Sequence, residues 1–251
     1  MRDESLRWGV SLTNALIEKL RGYAPLSDMD IQSLCDLCHN ARNLPAAHDL
    51  IREGDAPGPL FVVLEGWACR YKLLPDGARQ IIAFMMPGDF CDLHVGILAE
   101  MDHSIATLTP ARIAFIPRPE IERLIDSRPS LSKAFWWTQL VDGGVLRATI
   151  VSMGRRTSVE RVAHLLCELY FRMHHMGLGD EHSCIMPFSQ IVLADAVGLT
   201  PVHTNRVIKR LRAAKALELG PGMITIANIS KLAAIAGFDD NYLHYRLKKY
   251  A

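Results

Sequence analysis

A change of hydrophobic period near residue 117 splits this sequence into a sheet-forming part and a helix-forming part. From about residue 49 to 117, short runs rich in β-formers alternate with Gly, Pro and Asp: Asp49–Asp55, Leu60–Glu65, Trp67–Leu73, Gln80–Met85 and Ile113–Ile116. Turn signals separate them at Glu53-Gly54-Asp55, Glu65-Gly66, Pro75-Asp76-Gly77 and Pro87-Gly88-Asp89. Within Trp67–Leu73, residues Trp67, Cys69, Tyr71 and Leu73 alternate with Ala68, Arg70 and Lys72, the period of two that marks a half-buried strand. Pro75-Asp76-Gly77-Ala78 then turns the chain back into Ile81–Phe84. Many short strands at this spacing predict an antiparallel sandwich of jelly-roll type.

The flanks read as helix. Leu12–Leu20 and Asp28–Leu37 precede the β block, the second opened by Ser27 as N-cap with Asp28 and Asp30 at its positive end. After the block, Pro119 opens a short helix through Ile125, and Pro129 a long one to about Met153. Val159, Val162, Ala163, Leu166, Leu169, Tyr170 and Met173 then keep 3–4 spacing to a stop near Gly177. The loop Gly177–Ser183 opens the last block. The predicted fold is α+β: an antiparallel jelly-roll domain with N-terminal helices (1–118), a long helix (119–154) and a small helical domain (155–251).

Residues 189–213 carry the clearest functional pattern. A first helix, Ser189–Val197, stops at Gly198, where a left-handed cap suits glycine. Leu199 fills the turn, and Thr200-Pro201 restart a helix as N-cap and first helical residue. Val207, Ile208 and Leu211 form its inward stripe, while His203, Arg206, Lys209, Arg210 and Arg212 point elsewhere. This is the anatomy of a helix-turn-helix, whose second helix enters the major groove. Leu217–Leu219, the turn Gly220-Pro221-Gly222 and Met223–Ile226 read as a wing hairpin. The whole chain of 251 residues has 28 basic and 27 acidic residues, a balance that by itself argues against nucleic acid. Placement reverses that: residues 196–217 contain no acid, and Arg206, Lys209, Arg210, Arg212 and Lys215 concentrate positive charge there.

Taken together, the chain resembles the Crp/Fnr family of bacterial transcription regulators over roughly residues 25–235. The resemblance is carried by Arg52-Glu53-Gly54-Asp55, Glu65-Gly66, Pro87-Gly88-Asp89-Phe90, and the Gly198-Leu199-Thr200 turn with Arg206. It implies a cyclic-nucleotide-binding-type β roll, a dimerisation helix, a C-terminal winged helix, and a homodimer on a pseudo-palindromic duplex DNA site, acting with RNA polymerase. Arg206 takes the place of the family's guanine-reading arginine, and His203, Asn205 and Val202 are near enough to the helix start to contribute base contacts. Pro201 and Val202 stand where the cyclic-AMP-responsive members carry an arginine and a glutamate, so a different operator is expected. Thr200, Gln190, Lys209 and Arg210 fall where phosphate contacts are expected.

The family's nucleotide pocket needs a glutamate for the ribose and an arginine-serine pair for the phosphate. Aligned from Gly88-Asp89-Phe90, the glutamate position falls on Leu93, with Asp92 beside it, and the arginine position on His103, followed by Ser104. Leu146 and Arg147 replace the polar residues that meet adenine. Control by cyclic AMP is therefore not expected; the alternative is a regulator of the same family governed by a cyclic nucleotide, another small ligand or redox state. Cys35-x-x-Cys38, followed by His39, has redox or half-zinc spacing but lies in a predicted helix with Leu34 and Leu37, where cysteine packs as a small apolar residue. The family's iron–sulfur branch has its cysteines close to the N-terminus, and the first 34 residues here have none. Cys69, Cys91, Cys167 and Cys184 are scattered, so no iron–sulfur cluster, metal site or other cofactor is expected. His94 and the pair His174-His175 read as loop and helix-end residues rather than ligands.

Within Pro129–Met153, residues Leu131, Ala134, Phe135, Thr138, Val141, Val145, Ala148 and Ser152 are expected to form the seam of a parallel helix pair. The competing reading packs this helix on its own β roll through Trp136 and Trp137. Gly143-Gly144 inside it suggests a close approach of the partner or a hinge. A cupin-like enzyme on the same β scaffold would need clustered His and carboxylates on the strands, which are not there. With no long apolar run and no export-signal pattern, the chain reads as a cytoplasmic regulator, not an enzyme or a membrane protein.

Overall fold

The computed structural model describes residues 14–91, 93, 97–178, 185–187, 189–220 and 223–245. Asp92, His94, Cys184 and the wing-tip residues Pro221 and Gly222, all named above, lie outside them. Helices α1 (Ala15–Arg21) and α2 (Asp28–Leu37) lead into eight strands: β1 (Ala41–Leu44), β2 (Asp49–Ile51), β3 (Leu60–Glu65), β4 (Ala68–Leu73), β5 (Arg79–Met85), β6 (Phe90–Cys91), β7 (Ser104–Thr107) and β8 (Ala111–Ile116). Ser27 closes a capping box with Asp30 at the start of α2. The strands form two four-stranded antiparallel sheets, ordered β1-β8-β3-β6 and β2-β7-β4-β5. Ile51, Phe61, Val63, Met85, Ile105 and Ile113 fill the space between them.

The alternation read in β4 holds for Trp67, Cys69 and Tyr71, whose side looks out of the sandwich, but not for its ends: Leu73 is exposed, and Ala68, expected on the polar side, is buried between the sheets. Cys69 and Tyr71, with Trp67, Ile81 and Phe84, are buried against Val162, Leu166, Leu193 and Val197 of the helical part. Sheet and reader therefore share one core.

Helices α3 (Arg118–Ser127), α4 (Pro129–Arg155) and α5 (Ser158–His175) follow, α5 opening on a Thr157–Glu160 capping box. Then come β9 (Ile185–Met186), α6 (Gln190–Val197), α7 (Pro201–Ala213), β10 (Leu217–Gly220), β11 (Met223–Ile226) and α8 (Ile229–Ala236). The last described residues, 237–245, include a 3₁₀ turn at Asn241–Leu243 and run back over α4 and α5 as a strap. Phe238 stacks on Phe171, and Tyr242 stacks on His164 and donates its hydroxyl to Glu168 at 3.1 Å. Burial pushes the His164 imidazole down to about 4, so it is neutral in this aromatic setting.

Two expectations for α4 are corrected here. Of the expected dimer seam, Leu131, Ala134, Phe135, Thr138, Val141, Val145 and Ser152 are buried within the chain itself, and Ala148 is half-buried. Gly144 admits neither a partner helix nor a side chain, because a Cβ there would stand 2.3 Å from the carbonyl oxygen of Tyr242 in the strap. The exposed stripe is a different one. Trp136 (63% exposed), Leu140 (53%) and Ile150 (71%) follow each other with the half-buried Gly143 and the exposed Arg147 and Gly154 at alternating four- and three-residue steps. Of the two tryptophans, Trp137 alone is turned inwards, against Tyr23 and His244.

Candidate nucleic-acid interface

Local chemistry builds the α6–α7 unit. Ser189 caps α6 by accepting the amide of Val192 at 3.4 Å, and Gly198 ends it in the left-handed conformation (φ 63°). A Cβ at Gly198 would meet Met153 Cε at 2.6 Å, the movable end of a flexible side chain, so it is the left-handed backbone rather than space that reserves the position for glycine. Thr200 caps α7 by accepting the amide of His203 at 3.2 Å, with Pro201 in the first turn. Thr204, Val207, Ile208 and Leu211 are buried, which fixes the opposite face towards solvent. On that face Val202, His203, Arg206, Lys209 and Arg210 are all exposed. Val202, Arg206 and Lys209 share one stripe at four- and three-residue spacing.

Asn205 behaves differently from its neighbours. Its side-chain amide donates to Gln190 Oε1 at 2.8 Å, so these two expected DNA-contacting residues are joined to each other across the two helices. The three-stranded sheet β10-β11-β9 stands beside α7. Lys209, Arg212 and Lys215 line an open groove of about 590 Å³ between the helix and this sheet, together with the single acid Glu218. Such a groove suits a phosphate backbone.

Asp195, the acid that bounds the basic stretch upstream, is neutralised by the β roll. Arg79 of β5 holds its carboxylate at 2.7 and 2.8 Å, and Gln80 donates to the carbonyl of Ala196 at 3.1 Å. Neither contact is readable from sequence, because Arg79 and Asp195 are 116 residues apart.

A buried charge cluster joins α1, α5 and the turn before β6. Arg172 of α5 pairs with Asp89 at 2.7 Å and Glu168 at 3.4 Å, and Lys19 of α1 pairs with the other oxygen of Asp89. Burial opposes the ionised Asp89, but Lys19 and Arg172 outweigh it and hold the carboxyl below the usual range. At Glu168 burial wins over Arg172, and the carboxyl is pushed up.

The possible ligand site is a cleft of about 510 Å³ between the β roll and α4, lined by Arg70, Lys72, Leu93, His103, Asp142 and Leu146 among others. Leu93 and His103 do reach it. Ser104 is turned away, accepting the backbone amide of Glu53 at 2.9 Å. Arg147 is exposed on α4 and is not among the lining residues. Sequence reading missed Arg70, whose guanidinium meets Asp142 of α4 at 3.4 Å and the carbonyl of Phe90 at 3.3 Å. Among the described residues Cys38, Cys69, Cys91 and Cys167 are buried, and burial pushes the thiols of Cys38, Cys69 and Cys167 up to about 12. His174 lies flat against Tyr170 and His175 against Tyr245. Among the described residues no group of three or more His, Cys, Asp or Glu is placed to hold a metal ion, and no helix is long and apolar enough to cross a membrane.

Comparison with known proteins agrees with this layout. Residues 41–128 match the cyclic nucleotide-binding domain family, and residues 160–235 match the Crp-like helix-turn-helix domain. The chain belongs to the Crp/Fnr family of transcription regulators. It is 28% identical to the nitrogen fixation regulation protein FixK of Bradyrhizobium diazoefficiens over 86% of this chain and 91% of the relative. It is 26% identical to the transcriptional activatory protein AadR of Rhodopseudomonas palustris over 74% and 77%. The solved structure of FixK2 from Bradyrhizobium japonicum superposes with a TM-score of 0.69 at 23% identity, covering 78% of this chain and 96% of that one, and shows the same fold. This Crp/Fnr member is a DNA-binding transcription regulator, and its relatives are regulators rather than enzymes.

Proposed function

We propose that this regulator acts in the cytoplasm as a homodimer on a pseudo-palindromic site, one α7 in each half-site, and signals to RNA polymerase. Residues 1–118 serve as the sensor-type domain, 119–154 as the dimer helix and 155–251 as the reader. The observation that carries the reading is the exposed face of α7, where Val202, His203, Arg206, Lys209 and Arg210 stand clear of the core. The outer stripe Trp136, Leu140, Gly143, Arg147, Ile150 and Gly154, exposed at every position but the half-buried Gly143, supports dimerisation, since its spacing is that of a two-helix seam with one polar position.

Cyclic AMP is not the signal in this proposal. The cleft offers Leu93 and His103 where the ribose and phosphate partners would be, and its arginine, Arg70, is already matched by Asp142. A phosphate placed there would face that carboxylate. No iron–sulfur cluster or other cofactor is invoked. A second reading keeps the cleft for another small ligand, favoured by its volume of about 510 Å³.

The test uses full-length protein and a duplex enriched from a random library by that protein. Arg206→Ala is expected to lose about 10- to 100-fold on the enriched duplex and to lose discrimination at one base pair per half-site. Lys209→Ala is expected to weaken all sequences alike and to flatten the log–log salt dependence by about one for each phosphate contact removed. Equal loss for Arg206→Ala on enriched and random DNA would overturn the assignment of α7.

A further inference from the structure

We propose that Val202 reads the 5-methyl group of a thymine one or two base pairs from the guanine read by Arg206. The inference rests on α7 being the recognition helix and names part of what that helix recognises. Val202 is 65% exposed, while the apolar residues Val207, Ile208 and Leu211 of the same helix are buried in the shared core. Its side chain takes no part in that core. Valine is also a poor choice for an exposed helix position on propensity alone. Its position is tightly defined: Thr200 caps the helix on the amide of His203, and Pro201 fixes the residue before it. A β-branched side chain in a helix keeps essentially one rotamer, so two methyl groups are held at a fixed place on the groove-facing stripe.

In the major groove the only apolar feature on a base edge is the thymine 5-methyl group. Arg206 lies one helical turn further along the same stripe, about 6 Å down the axis, which is fewer than two base steps of about 3.4 Å. The thymine therefore falls one or two base pairs from the guanine. Asn205 is a weaker competitor for a neighbouring base, since its amide is engaged by Gln190.

The experiment takes the duplex enriched by full-length protein and replaces each half-site thymine in turn by uracil, which removes only the methyl group. One position per half-site is expected to cost the parent protein about fourfold in affinity, the equivalent of one methyl group withdrawn from contact. In Val202→Ala the thymine-to-uracil ratio at that position is expected to fall to about one. No methyl-sensitive position in the parent, or an unchanged ratio in Val202→Ala, would overturn the inference. If Arg206→Ala still relaxes the guanine position in that case, the reading of α7 stands and only the methyl contact falls. A library that shows no enrichment overturns both.

Discussion

Arg172→Met is expected to lower the melting temperature of the full chain by about 10 °C, from a loss of roughly 3–5 kcal/mol in a chain of this size. Methionine keeps most of the volume, so the effect isolates charge. Arg172 is buried and holds Asp89 at 2.7 Å, Glu168 at 3.4 Å and the carbonyl of Phe84 at 3.1 Å. Its removal leaves Glu168 with only the Tyr242 hydroxyl among the partners described above, and leaves Asp89 to Lys19 and the backbone amide of Met86. Breaking one member of a buried ionic group is costly because the remaining charges stay desolvated. The loss falls where α1, the turn before β6, α5 and the C-terminal strap meet, so it also loosens the reader from the β roll. Arg21→Ala, which breaks the half-exposed Arg21–Glu18 pair, serves as the control and is expected to cost less than about 1 kcal/mol. Thermal denaturation of the three proteins checks the expectation; equal melting of parent and Arg172→Met would show that the cluster sets geometry without stabilising it.

Leu140→Glu is expected to convert the protein to a monomer and reduce affinity for the enriched duplex by about 100-fold or more, because the second half-site then adds nothing. Leu140 is half exposed in the protomer and sits midway between Trp136 and Gly143 on the outer stripe of α4. A carboxylate there leaves the protomer's own core untouched and places like charges opposite each other across a two-fold seam. Sedimentation and melting of the same sample separate dissociation from unfolding. A stable dimer with undiminished affinity would remove this stripe from the interface.

Much of the fold was legible where one local rule acted alone. Leu60–Glu65 and Asp28–Leu37 have the predicted bounds, and Ser189, Gly198 and Thr200 cap their helices as their chemistry requires. Reading failed where a segment satisfied two partners. Helix α4 is apolar on two sides, and spacing alone could not say that Phe135, Val141 and Val145 face the chain's own core while Leu140 and Ile150 face outwards. Strand β7, Ser104–Thr107, is buried throughout and shows no alternation, so it gave no strand signal. Strand β1 and helix α8 were likewise not anticipated; Ala41–Leu44 holds only four residues, paired along β8. At the candidate site, Arg206 and Lys209 were visible because exposure follows from the inward stripe of α7. The bonds from Asn205 to Gln190, Arg79 to Asp195 and Arg70 to Asp142 were not, because each depends on tertiary docking.

The most direct measurement of the central claim, paired recognition helices on one face of the duplex, is affinity as a function of half-site spacing. Inserting about five base pairs between the half-sites turns them to opposite faces of the DNA, half of the roughly ten base pairs per turn. The full-length protein is predicted to lose about 100-fold on that duplex, down to the affinity of a single half-site. Undiminished affinity after the insertion would contradict the account.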